Sequence, residues 1–97
     1  MSLEWKERLT FDDVKVGDLL IDDDSIVLVT KAEKADEPYI HGILVKRGLT
    51  TEFVTINVGD RDVFLISGWK RNTTTIRPAT ERELALITMG RPDLIVP

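Results

Sequence analysis

The 97 residues contain no cysteine, which excludes disulfides, thiolate nucleophiles and cysteine-based zinc sites. Histidine occurs once, as His41, so a metal centre would rest on one imidazole and scattered carboxylates. No apolar run approaches the ~20 residues of a membrane span. The opening segment Met1-Ser2-Leu3-Glu4-Trp5-Lys6-Glu7 lacks the apolar block of a signal peptide. The expectation is a cytoplasmic protein without membrane contact, in which the glycosylation-like Asn72-Thr73-Thr74 carries no weight. No Ser, His and Asp grouping suggests a triad, and no glycine pattern suggests a phosphate loop. Nothing positive points to an enzyme, and no cofactor or metal is expected. Internal repeats, low-complexity tracts and linkers are also missing, which leaves one domain over residues 1–97.

What is present is 42% hydrophobic and 31% charged residues, enough to form a core and a solvated surface. The net charge of −4 is unevenly spread. Residues 1–37 hold five Lys/Arg against eleven Asp/Glu, and residues 38–77 hold six against three. If folding segregated these stretches, a positive patch would lie behind the acidic average; interleaved strands would erase it.

Short β-patterned runs separated by Gly, Asp and Pro dominate residues 14–78. Strands are expected over 18–21, 26–34, 39–47, 52–58, 63–67 and 75–77, after an N-terminal arm over 1–13 in which Trp5 and Leu9 share a helical spacing. The runs at 26–29 and 63–67 are apolar on both faces, which predicts a central position or an outside-covered barrel wall for the first and a central strand for the second. Gly42 marks a bulge, a sharp bend or a close backbone approach. Thr80 followed by Glu83 reads as a capping box opening a helix within 80–90, with Leu84, Ala85 and Ile87 docking it on the sheet so that it plugs one end of the barrel. The tail over 91–97 is apolar.

Among residues that carry chemistry, His41 reads as a half-exposed strand histidine. Asp22-Asp23-Asp24 lacks the alternating ligand spacing of a calcium loop and reads as a solvated turn. The best candidate site is Gly68-Trp69-Lys70-Arg71 together with Arg77, Lys46 and Arg47. Trp and Arg dominate interface hot spots, and an indole beside cations can stack a base. The competing reading makes Trp69 a lid on the core.

Val16-Gly17-Asp18, five short strands and a Pro-bounded capped helix together resemble the SH3-like small barrels, and more loosely the small barrels of phage and prophage proteins. The resemblance covers residues 14–78 and implies a mainly β fold, a five- to six-stranded barrel or curled antiparallel sheet with a short C-terminal helix. An OB-like topology fits the same rhythm. Trp69, Tyr39 and Phe53 are too scattered to form a polyproline groove, so no functional residue is carried over. The function expected from these features is a non-catalytic module acting through protein contacts, as adaptor, inhibitor or oligomeric subunit. The alternative is a nucleic-acid-binding barrel using Trp69, Lys70, Arg71 and Arg77, against which the overall acidity stands.

Overall fold

The computed structural model describes residues 8–22, 25–46, 49–50 and 55–95. The chain is mainly β. Strands β1 (Asp18–Ile21), β2 (Ile26–Glu33), β3 (Tyr39–Lys46), β6 (Arg61–Leu65) and β7 (Thr75–Pro78) form one antiparallel sheet in the order β6-β3-β2-β1-β7. The sheet does not close, because β6 and β7 are its two edges. Helix α1 (Glu81–Thr88) follows the last strand.

Alternation along the strands gives the sheet two apolar faces. The inner face carries Leu20, Val27, Val29, Ile40 and Leu44, covered by Leu9, Val14, Ile66 and Trp69. The outer face carries Leu19, Ile26, Leu28 and Val45, covered by Ile95 with Leu86 and Ile87 of α1. This two-sided burial explains why β2 begins with four apolar residues in succession. It also places α1 on a sheet face instead of at a barrel end. Ile87 docks as expected, but its partner is Leu86, while Leu84 and Ala85 are exposed.

Local chemistry sets the element ends. Thr80 Oγ1 accepts from the Glu83 N–H at 3.1 Å, and Glu83 Oε1 accepts from the Thr80 N–H at 2.9 Å, so the capping box forms as predicted. Gly42 lies where β2 crosses closely: a Cβ there would sit 2.5 Å from Val27 Cγ1 and 3.0 Å from the Leu28 carbonyl oxygen. Asp22 Oδ1 accepts from the Ser25 N–H at 2.7 Å, closing the β1–β2 connection as a turn.

Two strand expectations are corrected. Of the run expected over 52–58, the described part is strand only at Thr55–Ile56 (β5), which pairs with Leu49–Thr50 (β4) in a separate two-stranded sheet. Pairing stops after Ile56 because Asp60 Oδ2 accepts from the Asn57 N–H at 2.9 Å and the Asp60 N–H donates to the Asn57 carbonyl at 2.9 Å. Gly59, at φ 92°, completes that turn and leaves Val58 exposed. The run at 63–67, expected to be central, is instead the edge strand β6, and its last residues turn into a 3-10 turn, Ile66–Gly68. Phe53, Val54 and the proposed helical arm around Trp5 lie outside the described residues.

Candidate functional site

The residues singled out from sequence do not share one surface. Trp69 is only 6% exposed and packs in the inner core, its ring centroid 5.8 Å from that of Phe64. Backbone pairing holds it there: the Leu9 N–H donates to the Trp69 carbonyl at 3.1 Å, and Arg8 and Lys70 form a bridge. Its position matches the core lid of the competing reading. Arg71 clasps the N-terminal segment against this core. Its guanidinium donates to Asp13 Oδ1 and Oδ2 at 2.8 and 2.7 Å and to the Arg8 carbonyl at 3.2 Å. The guanidinium holds the Asp13 carboxyl below its ordinary range.

Arg77 lies toward the other side of the sheet, with α1. It donates to both carboxylate oxygens of Glu83 at 2.7 Å, and Glu83 is 7% exposed. The bidentate guanidinium, helped by the Thr80 N–H, brings the Glu83 carboxyl down to about 2. Lys46 reaches the Ile95 carbonyl at 3.5 Å, Lys70 is exposed, and Arg47 lies outside the described residues. Arg71 and Arg77 are thus on opposite sides of the sheet, each paired with a carboxylate. The sequence's acidic and basic stretches meet at the first of these pairs: Asp13 comes from the acidic stretch and Arg71 from the basic one.

A different surface emerges from strand register. Cross-strand partners share a face, so β2, β3 and β6 align three rows on the outer side: Glu33, Tyr39 and Leu65; then Lys31, His41 and Val63; then Leu28, Ile43 and Arg61. Ile95 and α1 cover the third row's Leu28 and pack on Ile43. Val63 stays 50% exposed and Leu65 49% exposed. Tyr39 and His41 stand beside them edge to face, with ring centroids 5.7 Å apart. Lys31 and Glu33 form a surface ion pair at 2.8 Å, which lowers the Glu33 carboxyl and raises the Lys31 ammonium. A recess of about 440 Å³ opens among Thr30, Lys31, His41, Arg61, Asp62 and Val63.

Sequence reasoning missed Val63 and Leu65, because their alternation with Phe64 looked like burial on both faces. No signal within the run distinguishes them, because period-two alternation is the same in a central and in an edge strand. Chemically, this face offers apolar contact area with mixed charges at its margins. The lowered carboxyls Asp13, Glu33 and Glu83 each belong to an ion pair. Among the described residues, no group of three or more His, Asp or Glu is placed to hold a metal ion, and no helix is long and apolar enough to cross a membrane. Comparison of the chain with protein-family models, with curated proteins and with solved structures finds no match.

Proposed function

We propose that this chain is a non-catalytic protein-binding module whose contact surface is the part of the outer sheet face that α1 leaves uncovered. The observation that carries the reading is the half-exposure of Val63 and Leu65 on an edge strand. Edge strands ordinarily carry Lys, Pro or inward charges that discourage association. Here two of the three exposed side chains, Val63 and Leu65, are aliphatic and Arg61 is the third, and Tyr39 and His41 extend the patch with two amphipathic rings. Arg61, Lys31 and Glu33 give it a polar rim, the usual anatomy of a specific interface. The perturbed carboxyls fit this reading, since an acid catalyst is generally raised by burial or by a like charge, whereas these are lowered by cations.

The test compares protein partners captured by the immobilised chain with those captured by a Val63→Lys/Leu65→Lys double variant. Both side chains are half in solvent, so the variant should melt close to the parent. A partner held by the parent and lost by an equally stable variant supports the reading. Identical retention by both removes this face from the function.

A further inference from the structure

We infer that β6 is a self-association strand: a second copy of the chain adds antiparallel along its outer edge, with Val63 of each copy opposite Leu65 of the other. The inference rests on the protein-contact reading above and gives that surface an occupant.

The first support is the direction of the backbone groups. At one end of β6 the Leu44 N–H donates to the Asp60 carbonyl at 3.0 Å, and just past the other end the Ile66 N–H donates to the Pro38 carbonyl at 3.1 Å. Residues 60 and 66 therefore bond toward β3. In an antiparallel ladder, alternate residues direct their N–H and C=O groups to opposite sides. Residues 62 and 64 share the inward direction, and Arg61, Val63 and Leu65 direct theirs away from β3. Consistent with this, the Val63 N–H donates to the carboxylate of the preceding residue, Asp62 Oδ1, at 2.7 Å. Among the described residues, no strand pairs with this side of β6.

The second support is register. A twofold axis at Phe64 sets Val63 against Leu65 of the other copy twice over, with both outward-bonding residues in hydrogen-bonded pairs. The result joins Tyr39 and Leu65 of one copy to Val63 and His41 of the other in one continuous row, burying the four half-exposed aliphatic side chains together. An axis at Asp62 would set the two Asp62 carboxylates opposite each other, and an axis at Val63 would set Arg61 against Leu65. Of these three axes, only the one at Phe64 both keeps like charges apart and pairs apolar with apolar.

The third support is charge. The chain carries −4, which opposes contact between copies, but β6 holds one Arg and one Asp and is itself neutral. A junction of five residues per side lies at the small end of specific interfaces, below ~1,200 Å² in total. The association is therefore weak and reversible.

Asp62 supplies the distinguishing test. Its carboxylate occupies the Val63 N–H in the free chain, so it must release that donor when the second strand arrives. Sedimentation equilibrium from about 10 μM to 1 mM, an interval suited to weak association, should show a concentration-dependent dimer for the parent. Leu65→Lys should weaken it at least about tenfold, since the two introduced ammoniums would lie near the junction. Asp62→Ala should tighten it by roughly three- to tenfold, the effect of one released hydrogen bond. Glu81→Gln, which removes an equal charge from an exposed site just after β7, the opposite edge of the sheet, should change it little. Parent and Asp62→Ala chains that both stay monomeric would overturn the inference, as would a dimer indifferent to Leu65→Lys. Asp62→Ala that weakens association, or matches Glu81→Gln, would also overturn it. A monomer that nevertheless loses an outside partner on Val63→Lys/Leu65→Lys substitution would refute self-association and leave the binding reading standing.

Discussion

Replacing Glu83 with glutamine removes the charge of the most buried ion pair among the described residues while keeping the side chain's shape. Glu83 does two things at once. It accepts from the Thr80 N–H at the start of α1, and it takes both arms of Arg77 from β7, so it fastens the helix to the sheet. Its carboxyl falls from 4.5 to about 2, which at roughly 1.4 kcal/mol per tenfold change corresponds to about 3 kcal/mol. The Arg77 side chain is 32% exposed, and solvent screening brings the expected loss to about 2 kcal/mol. For a domain of this size that is roughly 8–16 °C in melting temperature.

The sign with pH follows from the depressed value. The stabilisation is complete above the unfolded carboxyl's 4.5 and is lost as pH falls through about 2. Urea unfolding from pH 7 to pH 2 should therefore show the parent and Glu83→Gln curves about 2 kcal/mol apart at neutrality and converging across that acid window. Arg77→Ala in the Glu83→Gln background should cost much less than in the parent, because the two residues share one interaction. A Glu83→Gln loss under about 0.5 kcal/mol at pH 7, or a constant gap between the curves down to pH 2, would refute the reasoning.

Two further substitutions test the core. Trp69→Ala removes a side chain that is 6% exposed and packed on Phe64. It should lower unfolding free energy by about 3–5 kcal/mol in a denaturant titration; a nearly unchanged midpoint would mean that the indole is not a core lid. Gly42→Ala places a methyl 2.5 Å from Val27 Cγ1 and 3.0 Å from the Leu28 carbonyl oxygen. Because a backbone oxygen cannot simply rotate away, it should cost about 1–3 kcal/mol, whereas a neutral result would mean that β2 and β3 separate freely there.

Much of the local structure was legible in the residues themselves. β1, the capping box of α1 and the close approach at Gly42 depend on chemistry within a few residues or on a missing Cβ, and they appear where the sequence indicates. The β-rich class with one C-terminal helix follows from the same short periodicities. The candidate site was less legible. Trp69 beside Lys70 and Arg71 has the composition of a binding site, yet composition does not record that Leu9 pairs with Trp69 or that Asp13 meets Arg71 58 residues away.

Tertiary structure alone decided which strands lie at the edges, and that decided what the surface offers. Val63-Phe64-Leu65 reads identically in a central strand and in an edge strand, because period-two alternation specifies two faces but not how many neighbours the backbone has. Once β3 pairs with β2 on one side and β6 on the other, β6 is left with outward backbone groups and two half-exposed aliphatic side chains. Likewise, α1 has a start written in Thr80 and Glu83, but docking through Leu86 and Ile87 determines which part of the outer face is covered. Local hydrogen bonds and side-chain periodicity are properties of short stretches. Strand order and coverage come from contacts between stretches distant in the chain, and those create the exposed face on which the proposed function rests.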